Sequence, residues 1–220
     1  MFLVLVTPKI SIPVGVVFYQ PAPEISAWYK TDKALKKQGV PPKQRPRQPA
    51  PNPQSPSKEQ LALGLLASFK AHHPDVRIHS VMAEALYGTA TFVDGASALF
   101  SSVQVLSHIR SNQHMRVGKR DQHVADYFAT HPGTPCSIRI RGGAEVVATV
   151  GRARLSVCAH KTKRFLVAIK YEEEETYRSL IASDLSWRTL DIVQGQTLRW
   201  LVEISQPYYD SSESLYLTAA

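Results

Sequence analysis

Hydrophobic positions follow two different periods along the chain. Phe2 to Val6 and Ile12 to Tyr19 are rich in Val, Ile and aromatic residues around a Thr-Pro-Lys-Ile-Ser turn, predicting two buried strands in hairpin relation. No polar residue precedes the first of them, so an upstream partner strand is expected. Ser57 and Gln60 form a capping-box pattern ahead of Leu61, Leu65, Leu66 and Phe69, which predicts a helix to about His72. Val76 to Met82 reads as a strand, Thr89 to Phe100 as a second helix and Val103 to Ile109 as another strand. This alternation marks an α/β layer architecture.

From about Asp121 to Ala182 the period falls to two. Ser137 to Arg141, Val146 to Val150, Arg152 to Cys158 and Arg164 to Tyr171 read as antiparallel strands inserted in the α/β frame. Tyr177 to Ala182 returns to the frame, and Thr189 to Ile204 predicts the closing helix. Thr31 to Ser57 is polar and basic, with prolines from Pro41 to Pro56 that fix φ and remove donors, as in a linker or a long surface excursion. The expected division is residues 1–120 with the excursion at 31–57, a β-rich insertion at 121–182, a closing helix at 183–204 and a tail at 205–220.

Composition narrows the partners. Lys and Arg number 26 against 18 Asp and Glu, a net charge of +8, so the summed field attracts polyanions, of which nucleic acid is the commonest. Cys136 and Cys158 make neither a disulfide framework nor a thiolate zinc site, and the eight histidines are scattered; a reducing cytoplasm is expected. Met1 to Val6 lacks the basic start and the length of a signal peptide, and no apolar run approaches the roughly 18 residues of a membrane span, so no membrane partner is expected.

Three features could carry chemistry. Glu84 follows a strand and precedes the Gly88 turn into a helix, at the edge of an open α/β sheet where ligands bind; the plainer alternative is a solvated loop carboxylate. Arg199 and Glu203 lie one turn apart on the closing helix, where a surface ion pair is the alternative. In the insertion, Arg139 and Arg141 share one strand face and Arg152 and Arg154 another, joined by His160, Lys161, Lys163 and Arg164. Glu145 is the only acidic residue from His131 to Lys170, so the row is a candidate phosphate-binding surface as well as a candidate solvated face.

Together these segments resemble the DDE transposases of bacterial insertion sequences, in the branch with a β-rich insertion before the last catalytic acid. The matching stretches are Thr7 to Tyr19, Ala83 to Gly88, Ile109 to Gln113, Ser183 to Trp187 and Arg199 to Glu203, and the resemblance runs from about Phe2 to Glu203. It implies an α/β fold with a partial RNase H-like core, three acids holding two Mg²⁺ ions, and cleavage and joining of DNA at transposon ends. In such sites ions about 3.5–4 Å apart stabilise the attacking and leaving oxygens. Glu84 falls at the second acid, normally Asp, and Glu203 at the third, the Glu of a Tyr-x-x-Arg-x-x-x-Glu-x-x-x-x-x-x-Lys signature. Arg199 matches the signature Arg.

The departures are as informative. Gln196 stands where the signature has Tyr and Asp210 where it has Lys, and Ile204 to Ala220 does not resemble the family. The strand bearing the first acid would lie upstream of Met1. The expectation is therefore a truncated, catalytically inactive, nucleoid-associated copy. Its partners would be DNA and a second copy or an intact transposase; the alternatives are a non-catalytic DNA-binding or oligomerising fragment, or a decayed product without a selected role.

Overall fold

β1 (Phe2–Val6) is apolar at every position, and a strand of that kind must be covered on both faces and paired on both edges. In the computed structural model β2 (Ser11–Val16) pairs with it antiparallel, as the hairpin pattern predicts. Its other edge is taken by β11 (Ser214–Ala219), which runs parallel to β1 and antiparallel to β3 (Ile78–Ala83). The structure describes residues 1–7, 9–50, 52–140, 143–205 and 214–219, the side chains of 199–205 excepted.

Among these residues eleven strands form one sheet. Its order is β2-β1-β11-β3, then β4 (Gln104–His108), β10 (Arg178–Ala182), β9 (Thr162–Tyr171), β8 (Glu145–Val157), β5 (His114–Val117) and β6 (Arg120–His123), with β7 (Thr134–Arg139) also on β8. β1–β11 and β3–β4 are its parallel pairs; the rest are antiparallel. With five α-helices the fold is mixed α/β on a large, mostly antiparallel sheet.

The crossover helices are those the periodicity predicts. α2 (Lys58–His72) starts at Ser57, whose hydroxyl accepts from Gln60 N at 3.2 Å while the Gln60 side chain accepts from Ser57 N at 2.8 Å. It packs Ala62, Leu66 and Phe69 with Phe92, Val93 and Ala96 of α3 (Ala90–Leu99) against Leu3, Val81, Val105, Leu215 and Leu217 on one sheet face. On the other face Ile192 and Val193 of α5 (Thr189–Ser205) meet Val4, Met82, Leu106, Phe165, Val167, Leu180 and Tyr216. A third cluster joins Phe128 of α4 (Val124–Thr130) to Met115, Val157, Leu166 and Ile181 under the antiparallel strands.

Four expectations are corrected. The excursion assigned to 31–57 begins inside a helix, α1 (Pro23–Lys37), whose sparse apolar residues give no clear period. The following stretch is pinned rather than free: Arg45 and Lys36 reach the largely buried Asp32 at 2.8 and 3.1 Å, and Trp28 Nε1 donates to Pro46 O at 2.8 Å. The insertion starts before residue 121, with the β5–β6 hairpin turning at Gly118 (φ +61°), and it extends the main sheet because β10 pairs with β4. The strands read at Val146–Val150 and Arg152–Cys158 are one, β8. Gly151 gives clearance instead of a break, since a Cβ there would lie 2.8 Å from Phe128 Cδ1.

The fourth correction concerns the tail. Part of the segment set apart at 205–220 is a central strand, with Leu215, Tyr216 and Leu217 buried and Ser80 Oγ 2.7 Å from Thr218 Oγ1. Trimming Leu217 to Ala removes apolar packing from a site flanked by two strands, and is expected to cost about 2–5 kcal/mol. Urea denaturation followed by circular dichroism measures this. A midpoint unchanged from the parent would place β11 outside the cooperative core.

Candidate functional site

Glu84 lies at the end of β3, beside the end of its parallel neighbour β4. Its carbonyl accepts from Ser107 Oγ at 2.8 Å and from Tyr87 N at 2.9 Å, starting the single 3₁₀ turn Ala85–Tyr87. Gly88 ends that turn against β4, where a Cβ would stand 2.4 Å from the His108 carbonyl oxygen. Any larger residue would push the turn off the strand end. Glu84 itself is half-buried.

α5 reaches the same edge from the opposite face. Trp187, just before it, packs on His79 near the start of β3, with ring centroids 5.1 Å apart. Further along, Gly195 passes close to Leu106, and Gln196 Nε2 lies 2.8 Å from His108 Nε2. The helix therefore crosses this face of the sheet, and Gln196 meets the carboxyl end of β4. Arg199 and Glu203 sit on its continuation, but their side chains lie outside the described residues, so the approach of Glu203 to Glu84 is not defined. The buried His108–Gln196 contact escaped the sequence reading; Gln196 in place of the signature Tyr was its one signal.

On the α2/α3 face of this edge a pocket of about 410 Å³ is lined by Tyr19, Lys58, Glu59, Thr89, Arg110 and Gln113. Among the described residues no three His, Cys, Asp or Glu side chains gather closely enough to hold a metal ion. Mg²⁺ requires a near-octahedral set of oxygens. The described contact between α5 and β4 at this edge pairs an amide with an imidazole, Gln196 with His108.

The basic row divides. Arg152 and Arg154 are exposed on the α5 face of β8, and register places Lys163, opposite Ser156, on that face of β9. The Arg154 guanidinium stacks over Phe165 at 4.0 Å and donates from Nε to Leu185 O at 2.9 Å, so the charged head is anchored on the sheet face while the residue stays exposed. With Trp187, Arg188 and Thr189 these arginines rim a 460 Å³ pocket at the start of α5. Arg188 is itself paired with Asp191, at 2.9 and 2.8 Å. Lys161 is exposed in the β8–β9 turn with φ 55°. Arg139 is exposed at the end of β7, 3.6 Å from Glu145, and Arg141 lies outside the described residues.

Arg164 does not belong to this surface. It projects from β9 toward α3, its side chain only 5% exposed, and donates from Nη2 to Asp94 Oδ1 at 2.6 Å and from Nε to His160 Nδ1 at 3.1 Å. His160, also buried, contacts Gly88 O through Nε2 at 3.2 Å. Two-residue spacing could not reveal this, because alternation assigns faces without saying which face a helix covers. A cation removed from water must be paired, and α3 supplies the partner.

No protein-family model matches the chain, and no curated protein matches it. No helix among the described residues is long and apolar enough to cross a membrane.

Removing one partner of the Arg164–Asp94 pair should cost more than replacing the cation. Asp94→Ala strands a buried guanidinium and is expected to cost about 1–3 kcal/mol, below the range for fully buried pairs because Asp94 is 59% exposed. Arg164→Met keeps the stem's packing and should cost less. Thermal melts of the two variants decide the order, and the reverse order would show that the pair is not what holds Arg164 in place.

Proposed function

We propose that this chain is a transposase-derived DNA-binding protein, with a partial RNase H-like core and no strand cleavage or transfer of its own. The observation that carries the reading is the identity of β1's second neighbour. The resemblance puts the strand with the first catalytic acid at that edge. The strand found there, Ser-Leu-Tyr-Leu-Thr-Ala, brings no carboxylate. Support also comes from the position of Glu84 at the carboxyl edge of β3 and from α5, which touches that edge through Gln196 and His108. The parallel β3–α3–β4 unit, with a β-rich segment between it and the last helix, is in the order the family shows.

A two-metal site needs its carboxylates in place, because the ions are what stabilise charge on the attacking and leaving oxygens. Losing the first acid and lengthening the second from Asp to Glu leaves too few well-placed oxygens, and Mg²⁺ surrenders water reluctantly. Catalysis would then require another chain, such as an intact transposase, to provide a complete metal site of its own.

DNA binding needs no such site. Arg152, Arg154, Lys161 and Lys163 present positive charge on and beside the β8–β9 hairpin, and each phosphate they neutralise releases counterions. A homodimer or a complex with an intact enzyme would add a second such surface.

Purified protein incubated with supercoiled DNA in Mg²⁺ or Mn²⁺ should produce no nicked circles above a Glu203→Ala control. Cleavage that disappears in that control would overturn the reading. Duplex binding, followed by anisotropy across a salt series, should weaken in Arg152→Glu/Arg154→Glu. The log–log salt slope should flatten by about 2, one unit for each phosphate that is no longer neutralised. Equal affinity in parent and variant would reduce this face to a solvated sheet.

A further inference from the structure

We propose that His160 is a proton-operated latch, fastening the β8–β9 turn to the Gly88 loop while its imidazole is neutral and releasing it when protonated. The hydrogen-bond logic leaves one neutral arrangement. Arg164 Nε can only donate, so His160 Nδ1, 3.1 Å away, is the acceptor. The ring proton is then on Nε2, which donates to the Gly88 carbonyl at 3.2 Å. Both ring nitrogens are in use, and they join β9, the turn after β8 and the loop that begins at Glu84.

A proton taken from solvent has only Nδ1 to occupy. Once there it faces the N–H of Arg164, so that hydrogen bond is broken and two cations stand side by side. The charge alone would strengthen the Nε2 bond to Gly88, so release comes from the ring leaving Arg164 for solvent, which takes Nε2 away from Gly88 as well. Arg164 has little freedom to turn away, since Asp94 on α3 holds its Nη2 at 2.6 Å. Among the described residues Arg164 from β9 and Asp94 from α3 are the charged groups that act on the ring. β5, packed against the same turn, carries His114 and Arg116, and the Gly88 loop offers its carbonyl. Asp94 bonds the guanidinium and is itself largely exposed, so it offsets the repulsion only in part.

Burial, first, and the Arg164 charge push the His160 pKa below its ordinary value, against the Gly88 carbonyl and Asp94, which favour the charged ring. The sign follows. A histidine kept neutral by the fold binds a proton less readily than in the unfolded chain, so its contribution to stability is full above the ordinary value near 6.5 and declines as pH falls below it. Release lies on the acid side of that value. It would free the turn bearing Lys161 and the residues behind Glu84 together, and it holds whether or not the chain binds DNA.

The test uses the full chain, with ¹⁵N-histidine spectra and amide-exchange protection measured from pH 8 to 5. Expected are an Nε2–H tautomer at the upper end, a titration of His160 below the ordinary value, and loss of protection at Gly88 and Lys161 by up to about tenfold per pH unit between the ordinary value and that midpoint, levelling off below it. Protection in the middle of β9, at Ala168, should stay constant. A midpoint at or above the ordinary value, the Nδ1–H tautomer, or protection at Gly88 that ignores the titration would overturn the proposal. His160→Gln is a permanently neutral side chain that can both accept and donate, and it should abolish the pH response. An unchanged response in it would assign the effect elsewhere, and should this variant fail to fold, the parent's titration decides alone.

Discussion

The sheet depends on the pairing of β11 between β1 and β3. Without it the backbone donors and acceptors along two facing strand edges would be buried with no partner, at a cost comparable to several missing hydrogen bonds. The apolar side chains of β11 matter as much. Leu215 and Leu217 complete the layer under α2 and α3, and Tyr216 completes the layer under α5, so one short strand closes both faces. The first and last strands of the chain are neighbours, and the parallel hydrogen bonding between them is the most non-local pairing in the fold. Such a pairing closes the longest loop and forms only after the pieces it joins exist.

The same strand links the architecture to the functional reading. It satisfies β1 as a partner strand must, yet it offers hydroxyl and apolar side chains where the resemblance calls for a carboxylate. A sheet accepts any segment with the right alternation and pairing, whereas a metal site accepts only particular ligands at particular places. A complete sheet is therefore compatible with the incomplete metal site of the proposed reading, and the basic hairpin is independent of both, because attraction for phosphate depends on charge and exposure rather than on atomic register.

The candidate edge and the insertion are also joined physically. The buried Arg164 bridges β9 to Asp94 on α3, and His160 ties the β8–β9 turn to Gly88, four residues from Glu84. An insertion that began as an appended β segment would need no such cross-links. Here the extended strands and the α/β frame share one sheet and one polar network.

Periodicity by itself determined the α2–β3–α3–β4 run, the β1–β2 hairpin and the closing helix, because each buries a face whose spacing is local and the Ser57–Gln60 cap marks a start. It also determined that Arg152 and Arg154 share a side, since alternation along a strand is geometric. What tertiary structure decided are matters of partnership. The tail became a central strand because an open pair of edges was there to receive it, and Gly151 continued a strand because Phe128 needed the space. Arg164 left the candidate phosphate-binding row because α3 covered its side of the sheet with Asp94. His108 and Gln196, distant in the chain, met because α5 crosses the ends of the parallel strands. Local sequence specifies which faces are apolar or charged, but which surface each face meets depends on the packing of the whole chain.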